Sequence, residues 1–507
     1  MNIKNIKTYI LSGILALSMS SCLDKYPEDS IRMDQAINTV DDMDKLVYGI
    51  YDSFKSSALY SGNLTILPDL QADFVYCVKG YSNAYGDIYR WKDIKATNTD
   101  IEAVYADLYD VINRCNFLLD NVEKVKAATN DDKQLDKLEQ YEGEAYFARA
   151  LAYSELIKCF CKAYDSDEQA EKELGVVLTE HYYGNEPQKR ASLKESYDFV
   201  LRDLDKAAEY LKVDKDFTGT LYDEIYFNEY TCHALRARVS LYMHRWDDAI
   251  KYASKVIDSK YYVLASCTQK IGNTSYYQYQ WTAGKSTEGI WKVGFTVNSY
   301  GGALGTIFDN YNYVSYRPDY VPETWVINSF DANDLRAAAI FTTRTTGYEH
   351  GLQWPLLSKY FGDAEFLNNN ILHVHQPMVF RLSEQYLIRA EAYAMNGEYG
   401  KAGKDISTLR TARYSSYGGN TSMSDESSAM KIIEAERVKE LYMEGFRLND
   451  LKRWHKGFER KAADQPAANF VQSSLKVEKD DPLFVWPIPQ HELEAPGSEI
   501  QPNESNK

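Results

Sequence analysis

The chain has 507 residues, with 57 Lys+Arg against 74 Asp+Glu and a formal net charge of -17. With 44% hydrophobic and 26% charged residues, the composition excludes wholesale disorder, and the acidity counts against nucleic acid, whose phosphates need an electropositive footprint. At about 150 residues per domain the length allows roughly three units' worth of fold; the 42 Tyr against 19 Phe and 8 Trp point to half-wet surfaces, where an apolar ring with a polar tip is useful.

At the N-terminus, Lys4 and Lys7 precede an apolar run from Tyr9 to Met19. That run is shorter than the roughly 20 residues of a spanning helix and has the form of a secretory signal core. It ends Ser20-Ser21-Cys22, with Met19 where a Leu is usual, and this resembles the bacterial lipoprotein box. Residues 1–21 are therefore read as a signal peptide. Cys22 is read as the lipid anchor, and residues 22–34, acidic and broken by Pro27, as a lipidated tether. Two or three acyl chains hold a protein to a membrane where one does not.

Residues 35–258 read as a helical-pair scaffold. Tyr105, Leu108, Ile112, Cys115, Leu119 and Val122 recur at three and four, the spacing of one helix face. Phe147, Ala150, Leu151, Ser154 and Ile157 form a second such face, and Tyr197, Val200, Leu204 and Ala207 a third. A fourth, through Tyr230, Ala234, Ala237 and Leu241, breaks at His244-Arg245 and resumes from Trp246 to Ile257. Within this region 76–91 is an early loop rich in Tyr, Asn and Gly. Residues 259–370 lose the helical period and form an aromatic-rich insertion of loops and short strands, such as Gly289 to Val293. Residues 371–507 return to helical pairs through Leu387, Ala390 and Ala394, then Tyr399, Ala402, Ile406 and Leu409, with a last helix holding Val438, Leu441, Tyr442 and Gly445. The closing Pro482 to Pro489 cannot be helical and should lie extended over the body. Helix pairs with small residues at the crossing resemble tetratricopeptide repeats, and each pair must stack on a neighbour to bury its apolar face. The fold class is thus mostly α, an irregular tetratricopeptide-like scaffold with a loop- and strand-rich insertion.

Several clusters carry the residue types of chemistry. Glu436, Arg437, Glu440, Glu444, Arg447, Asp450 and Arg453 contain enough carboxylates for a glycosidase acid/base pair, but their spacing matches Glu with Arg along a helix, and they are read as structural ion pairs. Asp214, Asp216, Thr218 and Gly219 imitate the start of a calcium loop, yet position twelve is Ile225 where a bidentate Glu belongs. His373 and His375 alternate as in an exposed strand. Cys77, Cys115, Cys159, Cys161, Cys232 and Cys267 read as structural thiols whose pairing cannot be deduced. No nucleophile elbow, HExxH or P-loop is present, so neither metal, cofactor nor catalysis is expected.

Five ordered motifs are similar to the SusD/RagB family of Bacteroidetes surface lipoproteins. They are Glu144 to Tyr153 (EAYFARALAY), Leu241 to Trp246 (LYMHRW), Tyr386 to Tyr393 (YLIRAEAY), Glu436-Arg437 with Glu440-Leu441 and Glu444 to Arg447, and Trp486 to Pro489. Arg190-Ala191-Ser192 before Tyr197 also fits, whereas Leu448-Asn449 stands where Trp-Phe is common. The resemblance implies a non-catalytic lipoprotein in the outer membrane, facing the cell exterior. It would capture oligosaccharide, or in some members peptide, and deliver it to a SusC-type TonB-dependent barrel. A tetratricopeptide protein that only assembles partners is the alternative. Sugar rings stack their C–H faces on aromatic planes while their hydroxyls need polar partners beside the stack. Trp91 is the leading candidate, with Asn83, Tyr85, Asp87, Tyr89 and Arg90 close by. In the insertion, Tyr276, Tyr277, Tyr279 and Trp281 form one cluster. Tyr300, Tyr311, Tyr313, Tyr316 and Trp325 form another, interleaved with Asn310, Asn312 and Arg317.

Overall fold

A computed structural model describes residues 37–182, 188–212, 224–348, 351, 353–464, 471 and 474–506. The expected signal peptide, the Cys22 anchor, its tether and the calcium-like turn at 214–219 lie outside the described residues.

The helices start where side chains can satisfy the first free N–H groups. Helix α1 (Val40–Ser53) opens on Thr39, whose hydroxyl accepts from the Asp42 N–H while the Asp42 carboxylate returns to Thr39. Helix α2 (Asn63–Gln71) follows, then the long pair α3 (Thr99–Ala127) and α4 (Asp132–Phe160), capped by Asn98 and Asp131. Helix α5 (Leu193–Tyr210) starts on a Ser192/Glu195 capping box and packs on α4. Helices α6 (Glu229–Tyr242) and α7 (Trp246–Ser259) are separated by a turn in which His244 adopts φ 55°. The C-terminal part supplies α8 (Leu382–Met395), α9 (Tyr399–Arg413), α10 (Glu426–Glu440) and α11 (Arg447–Arg453). Small residues let the axes approach: Ala145, Ala148, Ala234, Ala237, Ala249, Ala253, Ala390 and Ala402 are all fully buried. Helix α7 packs directly on α8 although the whole insertion separates them in sequence. The helical stack therefore runs on as though the insertion were absent.

Six short strands tie the insertion down in antiparallel pairs. They are β1 (Val75–Cys77), β2 (Gly289–Lys292), β3 (Tyr320–Pro322), β4 (Phe341–Thr345), β5 (Gln353–Leu357) and β6 (Met378–Arg381). Strand β2 pairs with β6 at the foot of α8, β4 and β5 form a hairpin, and β3 pairs with β1 of the early loop.

Two expectations change. The charged set from Glu436 to Arg453 is structural, but apart from Arg453 with Asp450 its main partners come from other elements rather than from its own helix. Glu436 pairs with Arg336 and Arg410, and Glu440 with Arg336, Arg381 and Arg413. Arg437 pairs with Asp450, Arg447 with Asp73 and Arg453 with Glu391. Burial alone would raise the Glu436 carboxyl, yet Arg336, Lys439 and Arg410 override it and hold it at about 2. Arg336 comes from the insertion, so this buried network fastens the insertion to the scaffold. Second, the last expected helix stops at Glu440 rather than running through Gly445, because Met443 (φ 58°) and Gly445 (φ 83°) turn left-handed. The Gly445 and Arg447 N–H groups then donate to Asp69 at 3.0 and 2.7 Å, locking the turn onto α2.

All six described cysteines are buried free thiols. The C-terminal strap forms one 3-10 turn, Pro482–Phe484, then lies extended, with Trp486 buried and its indole donating to Gln71 Oε1 at 2.8 Å. Among the described residues no helix is long and apolar enough to cross a membrane.

Candidate functional site

The β1–β3 pair brings together two loops that are far apart in sequence. Residues 78–91 follow β1, and residues 309–319 precede β3. Further bonds fix the junction. The Ser82 N–H and hydroxyl donate to the Asp319 carboxylate at 2.7 and 2.6 Å, and the Tyr320 hydroxyl donates to the Ala84 carbonyl at 2.6 Å. Beneath it Tyr76, Val78, Val321 and Leu356 form a small core on which Tyr316, Tyr348 and Trp354 pack.

The insertion's half of the site is an aromatic platform. Tyr311 stacks on Tyr316 with centroids 4.6 Å apart and planes at 23°, Tyr313 lies 5.8 Å from Tyr311, and Phe361 supports both Tyr311 and Tyr316. The Arg344 guanidinium, from the β4–β5 hairpin, sits 5.1 Å from the Tyr316 centroid, and Arg317 sits 5.9 Å from that of Tyr348. The loop is shaped by Asn312, whose side-chain oxygen accepts from the Val314 and Ser315 N–H groups, an Asx turn. It is held from below by His373. Burial depresses the imidazole pKa, and Nε2 lies 3.0 Å from the Tyr311 nitrogen and 3.2 Å from the Tyr311 carbonyl oxygen. Asp309 lies buried next to this loop, and burial pushes its carboxyl to about 8, against the pull of Arg344. Tyr313 is 57% exposed, while Tyr311 and Tyr316 are half-buried.

The early loop supplies the polar half. Arg90 donates to Asn83 Oδ1 at 2.7 Å and to Asp87 Oδ1 at 3.0 Å, and the Tyr81 hydroxyl donates to the same Asn83 oxygen at 2.9 Å. Asn83, Asp87 and Arg90 are exposed. Left-handed backbone at Asn83, Tyr85, Trp91 and Asp93, and at Asn310 and Tyr313 in the 309–319 loop, concentrates strain of the kind found at ligand-binding segments.

Other expected site residues lie elsewhere. Tyr277 and Trp281 are interior rings rather than loop aromatics: Arg413 lies 4.5 Å from the Tyr277 centroid and Lys359 lies 4.0 Å from that of Trp281, so both cover the buried ion network. Tyr89 is also buried, with Arg460 3.9 Å from its centroid, and acts as a pillar under Tyr320 at 5.2 Å. Tyr85 is half-buried and donates to Asn63 Oδ1. Trp91 is half-buried, edge-on to Phe458 and Phe484 at 5.6 and 5.1 Å, with its indole donating to the Gln71 carbonyl. Trp325 packs near Phe74 and donates to the Asp73 carbonyl, away from the platform. Tyr300 is 45% exposed, in a separate cleft. His373 and His375 are buried rather than strand-exposed, His375 Nδ1 lying 2.6 Å from Asp363 Oδ1, and no metal-type cluster occurs among the described residues. Tyr81, Arg344 and Tyr348 were not singled out by sequence. Tyr81 stood inside the flagged loop, but the approach of Arg344 depends on a hairpin that no local pattern announces.

As chemistry, the face offers ring planes bordered by a guanidinium, an amide and hydroxyls. Of the nearby carboxylates, Asp319 accepts from Ser82 and Asp87 from Arg90. That suits holding a polyhydroxylated molecule.

Two family profiles match the chain, one described as the SusD family over residues 341–503 and one as "starch-binding associating with outer membrane" over residues 22–239. A SusD-like protein of Formosa agariphila is 20% identical over 511 aligned positions, covering 90% of each chain. Among solved structures, a SusD superfamily protein from Bacteroides thetaiotaomicron superposes with a TM-score of 0.75 at 23% identity, over 92% of this chain and 99% of that one. A putative sugar binding protein from Bacteroides vulgatus gives 0.74 at 22% identity, over 93% and 100%. A surface glycan-binding protein A from Bacteroides fluxus gives 0.67 at 19% identity, over 92% and 100%. At these identities the structural likeness establishes the fold, a helical tetratricopeptide-like scaffold.

Proposed function

The chain belongs to the SusD/RagB family, and from that premise we propose that it is a non-catalytic glycan-binding lipoprotein whose binding face is the two-loop surface around Tyr311 and Tyr316. The observation that carries this reading is the β1–β3 junction. It joins the loop that carries the stacked tyrosine pair to the loop that carries the Tyr81–Asn83–Arg90 cluster. Sugar stacks on the aromatic side and its hydroxyls meet the polar side. Tyr313 offers a further exposed ring at the rim.

The family and the sequence support the setting. A family description that reads "associating with outer membrane" fits an anchor at Cys22, and the partner is a SusC-type TonB-dependent barrel that receives the glycan. Similar proteins named as sugar-binding and glycan-binding support the ligand class.

A glycan array probed with residues 23–507, with chromatography of each bound oligosaccharide afterwards, tests the reading. Saturable binding with the oligosaccharide recovered intact is expected. Shortened products, or binding to no glycan while peptides bind, would refute it.

A further inference from the structure

We propose that the cleft around Tyr300 is a second saccharide subsite, separate from the platform, for an uncharged or amino sugar. The proposal rests on the glycan-binding reading and adds a site to it.

The cleft has a volume of about 610 Å³ and opens between α1, the segment after it, α3 and the turn before Tyr300. This falls in the range of about 300–1,000 Å³ usual for small-molecule sites, and none of its lining residues belongs to the platform. Tyr300 is placed by a built turn. Thr296 and Ser299 exchange backbone hydrogen bonds at 2.9 and 3.0 Å, and Lys55 Nζ donates to Ser299 Oγ at 2.8 Å. Gly301 and Gly302 then lie flush on the segment below. A Cβ at Gly301 would come within 2.2 Å of the Lys55 carbonyl oxygen, and one at Gly302 within 2.6 Å of that of Ser61. Any larger residue there would lift the turn and its ring. Phe366 backs Tyr300 at 5.9 Å, just as Phe361 backs Tyr311 at 5.9 Å, so one short segment supports the rings of both sites.

The walls determine the ligand class. The lining holds three carboxylates and two cations: Asp52 pairs with Lys55 at 3.0 Å, Asp110 pairs with Arg114 at 2.6 Å, and Asp107 accepts from the Ser56 hydroxyl. Hydroxyl groups can donate to the first set and accept from the second. A sulfated or uronic sugar would meet net negative charge and be repelled, whereas an amino group would be accepted.

The test uses residues 23–507 and an array of neutral, amino and acidic oligosaccharides from disaccharides to octasaccharides, followed by calorimetry with the tightest neutral or amino hit. Tyr300→Ala should weaken that binding about tenfold, Tyr300→Phe should retain it, and Asp110→Ala, across the cleft and half-exposed, should weaken it at unchanged melting. Wild-type strength in both Tyr300→Ala and Asp110→Ala, while Tyr311→Ala loses affinity, overturns the subsite and leaves the platform standing. A wild-type chain that binds no oligosaccharide on the array overturns both. Preference of the Tyr300 cleft for acidic sugars, seen as loss of only those hits in Tyr300→Ala, contradicts the assigned class.

Discussion

Trp91→Ala is expected to lower stability by about 2 kcal/mol, below the roughly 3–5 kcal/mol for a fully buried aromatic, while leaving glycan affinity within about twofold of wild type (~0.4 kcal/mol). The ring seals a satellite core with Phe458 and Phe484, and its indole N–H is satisfied by a backbone carbonyl rather than free for a ligand. Thermal melting and calorimetry on the same variant check both halves. In sequence this tryptophan stands out because polar residues surround it, but Phe458 and Phe484 arrive from the far end of the chain. The same holds for Tyr277 and Trp281. Their clustering is legible, whereas the arrival of Lys359, Arg381 and Arg413 over their rings is not. Tyr311, Tyr313 and Tyr316 were legible as loop aromatics because Asn310 and Asn312 interrupt any apolar period around them.

Among elements, the contact between α10 and the insertion is the most sensitive to a single change. Removing one partner from a buried charge network leaves the others uncompensated and costs about 3–5 kcal/mol. Glu440→Gln strips Arg336, Arg381 and Arg413 of a shared carboxylate, so chemical denaturation should show a loss of that size. A loss under about 1 kcal/mol, the value of exposed pairs, would contradict the account. A second element prediction concerns the C-terminal strap. His455, just after α11, lies 2.6 Å from Asp480 and 2.9 Å from Asp165. Burial works against the imidazolium, but the two carboxylates outweigh it and raise the His455 pKa above its usual 6.5. A raised folded pKa means the contribution is complete below about 6.5 and fades as pH rises through the higher folded value. Protection factors around 480–486, taken relative to the intrinsic exchange rate at each pH, should therefore be higher at about pH 6 than at about pH 8, and His455→Gln should remove that difference. The long helices and the break at His244-Arg245 were readable from apolar spacing, whereas the stop at Glu440 was not. The β1–β3 pair was not, since three-residue strands carry no periodic signal and the partner lies in another part of the chain.

For the whole molecule, the stacked helices form a continuous scaffold, and the insertion is folded back onto it by β2–β6 and the ion network. Gentle detergent extraction of native membranes should recover the chain with a large β-barrel protein. Recovery alone, under conditions that preserve comparable complexes, would contradict the proposed partner. The family and the mostly α architecture were legible because the repeat motifs sit on the helices that stack. The candidate site was only partly legible because its two loops are joined by strands far apart in sequence. The most direct test of the central claim is calorimetry of the tightest array oligosaccharide against wild type, Tyr311→Ala and Trp91→Ala. About a tenfold loss (~1.4 kcal/mol) is expected in Tyr311→Ala, with near-wild-type affinity in the folded Trp91→Ala protein. Full-strength binding by Tyr311→Ala with loss in Trp91→Ala would place the glycan elsewhere and contradict that claim.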